Sequence, residues 1–351
     1  MPEPLVSVII VNYSRAALLE ACLRSLLQPQ GVPFEAVVVD NGSTDGSVET
    51  VEAFAASAPF PVRLLRNAEN LGFCAANNQG IRASAAPFVA LLNNDAEAEP
   101  GWLAHLHSAF EDPRVGMAAS KILVYEDPRI IDKAGHLIWL DGQNRGRGTG
   151  ERDRGQYDQM EEALWPDGCA CMYRRAMLDD IGLFDEDLFA YGDDAELGLR
   201  ARIAGWRCLY MPQAVVRHHR GATLGVLSPR RLELIERNRV LLAVKHFPPD
   251  LLLLNPLFFA LRIGAGAWAA LRGRGEAGRI PGLGGKLRAF LAVLKGDLEA
   301  LEMLPRTWRK RRALGPLRRL GNAEVRRLLW QYRIRLGELS EQVAAPGGQR
   351  A

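Results

Sequence analysis

Cysteine is scarce in this chain, and what there is does not pair. Cys22, Cys74, Cys169, Cys171 and Cys208 are odd in number, and no two have the Cys-x-x-Cys spacing. This argues against a disulfide framework and a zinc knuckle, and reads as reduced, structural thiols in a cytosolic setting. The opening residues, MPEPLVSVIIVNY, have neither a basic n-region nor a long apolar core, so no secretory leader is evident. Also missing is an unbroken apolar run of the ~20 residues that span a bilayer. The nearest candidate, Leu251 to Leu271, is interrupted by Asn255, Pro256 and Arg262. A central Arg costs roughly 2.5–3.5 kcal/mol on insertion scales, so the segment reads as an interfacial or buried helical hairpin. No internal repeat is present. The basic residues are not interleaved with aromatics in any nucleic-acid module, so no nucleic-acid partner is expected.

The 351 residues are 48% hydrophobic, enough for one large domain with an appendage. The net charge of +3 is unevenly placed. Between Arg272 and Arg335, 17 Lys/Arg stand against 5 Asp/Glu, a local excess of twelve positive charges, so the rest of the chain is net acidic by nine. An acidic body joined to a basic tail suggests a tail that meets an anionic surface.

Short β-branched runs alternate with amphipathic stretches over the first hundred residues. Val6 to Val11, Ala36 to Val39, Val62 to Leu65 and Phe88 to Leu92 read as strands. Arg15 to Leu27, Ser47 to Ala56 and Ala75 to Ser84 read as helices between them. This order implies a parallel sheet covered by helices, with ligands at the carboxyl ends of the strands. Asp40 and Asp95 lie at two such ends. Further on, Asn144 to Gly155 is Gly-rich and charged and reads as a loop that could close over a ligand. Leu178 to Arg202 carries helical signals, Trp206 to Val216 reads as a strand pair or edge, and the chain turns helical beyond about Leu227. Ala344 to Ala351 is expected to be disordered.

Each polar candidate has a bland reading beside the chemical one. Asp40 can accept from a nucleobase or ribose, or can cap its own turn. Asp95, in Leu91-Leu92-Asn93-Asn94-Asp95, can hold Mg2+ or Mn2+ through oxygen, or can serve as a helix N-cap before Ala96-Glu97. Asp193 and Asp194 start a helix as adjacent carboxylates. One of them can have a raised pKa and act as a general base, or both can simply favour the helix dipole. Glu196 and Arg200 are spaced to pair on that helix. His218, after Ala214 to Val216, is a metal ligand or a structural histidine.

The order and spacing of these segments resemble the family 2 glycosyltransferases of the GT-A fold. The resemblance rests on SVIIVNYSRAALLEACLRSLL, VVVDNGSTDGS, NAENLGFCAANNQGI, LLNNDAE, DGCACMYRRAMLDDIGLFDEDLFAYGDDAELGLRARIAGW and PQAVVRHHRGAT, roughly Val6 to Thr223. It implies an α/β fold with a mostly parallel sheet between helices. It also implies a catalytic domain over 1–227, whose nucleotide-sugar half is about 1–95 and acceptor half about 96–227. A helical basic extension over 228–343 and the tail 344–351 complete the chain. The implied donor site is Val11, Asn12, Tyr13, Asp40, Asn41, Asn70, Gly72, Asn93 and Asn94. Asp95 matches the last Asp of the family's Asp-x-Asp metal motif, Asp194 the base of its Glu-Asp pair, and His218 a histidine that reaches the metal or diphosphate. Two positions depart from the pattern: Asn93 stands where the first metal-motif Asp belongs, and Asp193 where the Glu does.

The chain is most similar to rhamnosyltransferase-like members that build surface polysaccharides. The Gln-x-x-Arg-Trp motif of processive synthases is absent. The implied activity is inverting and metal-dependent transfer from a nucleotide-sugar donor, dTDP-rhamnose first, to a saccharide or polyprenyl-diphosphate-linked saccharide. The basic tail, Arg306, Arg309, Lys310, Arg311, Arg312, Arg318, Arg319, Arg326 and Arg327, would hold the protein at an anionic surface, peripheral to the inner face of the plasma membrane. The alternative is a non-catalytic nucleotide-sugar or polysaccharide-binding protein. A nucleotidylyltransferase would need a Gly-rich phosphate loop where Asn12-Tyr13-Ser14-Arg15 stands.

Overall fold

The computed structural model describes residues 3–219, 228–272 and 282–339. The tail 344–351, the residues 220–223 at the end of the last matching segment, and Arg274 and Arg279 lie outside them.

Four strands open the chain: β1 (Val6–Asn12), β2 (Phe34–Asp40), β3 (Val62–Arg66) and β4 (Phe88–Leu92). Helices α1 (Ala16–Ser25), α2 (Ser47–Ala55) and α3 (Phe73–Ala83) connect them. The strands lie parallel in the order β3-β2-β1-β4, as crossover connections require. Alternation along β1 feeds both faces of the sheet. Val6, Val8 and Ile10 pack with Leu19, Leu23 and Trp102, while Ile9 packs on the other side with Cys74 and Ile81.

The sheet continues with β5 (Ala96–Ala98), β6 (Val115–Val124), β7 (Ile131–Lys133), β10 (Glu161–Glu162), β11 (Ala170–Arg174) and β12 (Arg207–His218). Strand β11 runs antiparallel between β4 and β6, so its first residues meet the carboxyl end of β4. Strand β12 is one continuous strand, parallel to β6 with a bulge between Met211 and Val215, rather than a strand pair. The helical stretch expected over Leu178 to Arg202 is two helices, α5 (Arg175–Ile181) and α6 (Asp193–Ile203); α4 (Trp102–His107) covers the opposite face.

The segment read as a plain loop at Asn144 to Gly155 is partly sheet. Strand β9 (Asn144–Gly146) pairs with β8 (His136–Ile138), and Arg152 bridges to Ile130. Arg147 stacks over Tyr157 and Tyr210.

The extension comprises α7 (Pro229–His246), α8 (Pro249–Leu271), α9 (Gly282–Ala313) and α10 (Asn322–Gln331). Ser228 caps α7 by accepting from the Arg231 N–H, with Pro229 at its first position. Leu234, Leu241, Leu242 and Phe247 are buried. Of these, Leu241, Leu242 and Phe247 join the core cluster that includes Trp165 and Leu197, as do Val325, Leu329 and Tyr332. The segment Leu251 to Leu271 belongs to one continuous helix, so it does not fold back on itself as a hairpin, and many of its large apolar side chains are exposed.

Much of the basic tail is spent on the acidic body. Arg306 pairs with Asp187, and Lys310 with Asp185 and Asp187. Arg319 pairs with Asp180 and Arg326 with Asp250. Arg311 and Arg318 donate to backbone carbonyls of α7 and the residue after it. The charge asymmetry of the sequence is therefore largely an internal interface, and of the nine residues expected to face lipid only Arg309, Arg312 and Arg327 are exposed with no acidic partner among the described residues.

Candidate active site

The carboxyl edge of β1, β2 and β4 gathers the polar candidates. Register places Asn12 opposite Asp40. The Asn12 side-chain amide donates to Asp40 Oδ1 at 3.0 Å and to Ser43 Oγ at 3.1 Å, and its oxygen accepts from Asn94 at 2.7 Å. One amide thus ties two strand ends together. Asp40 Oδ2 also accepts the Ser43 N–H at 3.0 Å. Asp40 therefore does what a turn-capping Asp does, and it is buried with both oxygens engaged. Val11 is half-buried at the end of β1 and Tyr13 is exposed just beyond it. Ser14 and Arg15 both adopt positive φ, 60° and 70°, which turns the chain sharply off the strand.

A second amide network holds the neighbouring loop. Asn41 donates to Asn70 Oδ1 at 2.9 Å and to the Gly72 carbonyl at 3.3 Å, while Asn67 and the Leu71 N–H donate to its oxygen. Gly72 has φ 89°, and a Cβ there would lie 2.5 Å from the Phe189 ring. Glycine at this position lets the loop after β3 touch the turn that leads into α6.

Asp95 lies just beyond β4 and is buried. Its Oδ1 has no hydrogen-bond partner. His218, at the end of β12, brings Nε2 to 3.4 Å from that oxygen, a close approach without hydrogen-bond geometry. Its other nitrogen, Nδ1, meets Asp132 Oδ2 at 2.7 Å. Burial works against a charged His218. Cys169, Asp132 and Asp95 outweigh it and hold the imidazole pKa well above its ordinary value. Asp95 Oδ1 makes no hydrogen bond and faces only the His218 ring. With the Nε2 proton displaced, that oxygen and an imidazole nitrogen whose far side is fixed by Asp132 form a donor pair that fits a hard divalent cation tolerating nitrogen. Asn93, half-buried, donates its backbone N–H to the Cys169 carbonyl at 2.8 Å.

Asp193 and Asp194 stand at the start of α6. Burial raises both, with Asp194 the next cause for Asp193. Asp194 Oδ1 accepts its neighbour's N–H at 2.7 Å, and Oδ2 accepts the Gly168 N–H at 3.3 Å while lying 3.5 Å from His136 Nε2. The same His136 nitrogen is 2.8 Å from Asp167 Oδ2, which Lys133 Nζ also approaches to 2.5 Å. Burial would raise Asp167, but Lys133 and His136 override it and hold the carboxyl well below its ordinary range. His136, Asp167 and Asp194 could group about an ion, yet Lys133 already supplies the cation. The segment Asp167 to Cys169, at the start of β11, joins the two halves: Gly168 meets Asp194, and Cys169 meets Asn93 and His218.

The turn before α6 is strained and externally braced. Phe189 and Tyr191 have φ of 64° and 66°. Asn238 of α7 donates to the carbonyls of Leu188, Ala190 and Tyr191, at 2.9, 2.9 and 2.6 Å. Glu196, wholly buried, accepts from Arg200, Lys245 and His246. The extension thus fixes the helix that bears the two aspartates. Asp132, Lys133, His136, Asp167 and Asn238 were not singled out from the sequence. Their one signal is a lone polar residue set among apolar ones, as in Ala134-Gly135-His136-Leu137-Ile138.

Four parallel strands at one side of the sheet, an antiparallel strand returning between β4 and β6, and acidic residues gathered at the strand ends are the layout of a GT-A glycosyltransferase. The model of the glycosyl transferase family 2 matches residues 7–182, and the chain belongs to that family. It is 31% identical over 241 residues to an N-acetylglucosaminyl-diphospho-decaprenol L-rhamnosyltransferase of Mycobacterium tuberculosis, covering 62% of this chain and 77% of that one. It is 30% identical over 214 residues to the succinoglycan biosynthesis protein ExoU of Rhizobium meliloti, covering 57% of each. Among solved structures, a mannosyltransferase from Pyrobaculum calidifontis in complex with GDP-Man and Mn2+ superposes with a TM-score of 0.53 at 19% identity, covering 94% of this chain and 87% of that one.

Proposed function

We propose that this glycosyltransferase moves a sugar from a nucleoside-diphosphate donor to a saccharide hydroxyl in one inverting displacement. The donor of first choice is dTDP-rhamnose and the acceptor a saccharide carried on a polyprenyl diphosphate, in surface-polysaccharide synthesis at the cytoplasmic face. The Mycobacterium tuberculosis rhamnosyltransferase named above supports the choice of rhamnose as the sugar and of a polyprenyl-diphosphate-linked acceptor. The observation that carries the reading is the pair of acidic groups joined by the segment Asp167 to Cys169: a buried Asp95 oxygen that makes no hydrogen bond and faces His218, and a raised-pKa Asp194.

Each residue then has a task. The edge of Val11, Asn12, Tyr13 and Asp40 receives the nucleoside, and Asn41, Asn70 and Gly72 shape the loop beside it. Asp95 and His218 would hold Mg2+ or Mn2+, with Asn93 and Asn94 setting the loop that presents Asp95. A divalent cation there supplies the positive charge that stabilises the departing diphosphate. Asp194 takes the acceptor hydroxyl proton. His136, tied to Asp167, orients that carboxylate, and Asp193 stands beside it at the start of α6. The test is the configuration of the product. Nuclear magnetic resonance of the transferred sugar is expected to show inversion, and retention would contradict a single displacement.

A further inference from the structure

We propose that α8 and α9 seat this chain on a lipid bilayer through their outward apolar faces. Both helices are built inside out relative to a helix of a soluble protein, which buries its large apolar stripe and exposes its charges. On α8 the polar residues point inward. Asn255 donates to the Asp141 carbonyl at 3.0 Å, and Arg262 meets Asp141 at 2.6 Å and Glu236 at 2.7 Å. The Arg that interrupts this apolar segment is therefore neutralised by the body and makes no demand on a lipid phase. The opposite side carries Leu253, 82% exposed, with Leu257, Leu261 and Trp268 at helical spacing and no charge among them. By length and composition, α8 is apolar enough to cross a membrane.

On α9 the inversion is one of size. Its buried line is Ala292, Gly296, Ala300 and Thr307. At Gly296 a Cβ would come within 2.4 Å of the Glu233 carbonyl oxygen, so only glycine allows this approach to α7. The large residues Leu287, Leu291, Leu294, Leu298 and Leu301 face out, every one more than 40% exposed. Phe290, also exposed, widens the stripe beyond the narrow seam of a paired coiled coil. The two helices are fixed to the same stretch of α7, where Arg239 stacks on Phe259 of α8 and meets Asp297 of α9 at 2.7 Å.

The flanks of these faces favour a bilayer over a second copy of the chain. Trp268 stands near the end of α8 with Arg272 stacked on it, and Trp308 near the end of α9. Lys286 and Arg288 open the α9 stripe, and Arg309 and Arg312 close it, all exposed and without acidic partners among the described residues. Glu302 is the one exposed carboxylate on that helix among the described residues. An apolar strip with aromatics and cations at its ends matches the polarity profile of a bilayer with anionic headgroups. Bilayer seating is separate from the transfer reaction and stands whichever sugar is moved.

The test is co-sedimentation of the full-length chain with sucrose-loaded vesicles, of phosphatidylcholine alone and with phosphatidylglycerol, at low salt and at about 0.5 M NaCl, where charge is screened within a few ångströms. Binding to both vesicles is expected, strengthened by the anionic lipid and retained in part at high salt. The double substitution Leu257→Glu, Leu294→Glu is expected to weaken it at least about tenfold. Both residues are exposed, so circular dichroism should be unchanged; Leu257→Ala, Leu294→Ala gives a smaller loss without new charge. A chain that stays in the supernatant under every condition overturns the proposal. So does binding that vanishes at high salt and ignores the leucine substitutions. Analytical ultracentrifugation showing a dimer that the same substitutions dissociate, without vesicle binding, assigns the faces to a second copy instead.

Discussion

A carboxylate in water ionises near pH 4, roughly, but Asp193 and Asp194 have little of that water. Burial raises both, and for Asp194 the charge of Asp167 raises it further while His136 and Lys133 pull it down. A general base must be ionised, so a raised pKa moves the acid limb of the rate profile to higher pH. The pH dependence of kcat/KM is expected to show that limb above the ordinary carboxylate range, and Asp167→Asn, which removes a raising charge, is expected to move it down. An unmoved limb would mean that another group sets it. Beside Asp95, Asp132 fixes the far nitrogen of His218. Asp132→Asn is expected to weaken activation by Mn2+ about 10–100-fold while leaving nucleotide binding in place, as loss of an outer-shell partner does. Titrating Mn2+ against turnover checks this.

Between residues and whole molecule stand the helices that hold the site. Glu196 on α6 is kept ionised against burial by Arg200, Lys245 and His246, while burial pushes His246 down to about 4. The signs agree. A histidine depressed in the folded state contributes stability above its ordinary value near 6.5 and loses it as pH falls toward 4. A depressed glutamate loses its contribution from the ordinary carboxylate value downward. Mild acid is therefore expected to loosen the α6–α7 junction before the sheet, which hydrogen exchange at pH 7 and pH 5 would show as earlier exchange in 188–203. Gly296→Leu, forced against the α7 backbone, is expected to cost about 1–3 kcal/mol or more, measured by thermal unfolding.

Elements were also the level at which the sequence was most legible. The four parallel strands could be read because β-branched runs end in polar residues, and Asp40 and Asp95 came from those ends, while Asn12 came from the family resemblance. His136, Asp167 and Asp132 were not legible: contacts 31 and 86 residues apart in sequence exist only after the sheet forms. The direction of the apolar faces on α8 and α9 was hidden for a related reason. Composition shows that a helix is apolar, but only its partners show which side turns inward.

At the scale of the molecule, the extension and the GT-A core share one hydrophobic cluster, and the basic tail closes against acidic residues beside α6. Asn238 and the Glu196 pairs make the two aspartates depend on the extension's being in place. Asn238→Ala removes three hydrogen bonds from a strained turn. It is expected to lower kcat more than it raises KM for the donor, whereas equal effects on both would point to a general loss of fold.

The central claim is that this site turns over a nucleotide sugar with a divalent cation held at Asp95 and His218 and with Asp194 as the base. The measurement is turnover across a panel of dTDP-, UDP- and GDP-sugars, with and without Mg2+ or Mn2+, beside Asp194→Asn, with lipid-linked acceptor present. One donor is expected to be consumed only with the cation, with Asp194→Asn slower by about 10²–10⁴-fold and still able to bind nucleotide. A folded protein that consumes no donor, or an Asp194→Asn variant as active as the parent, would contradict it.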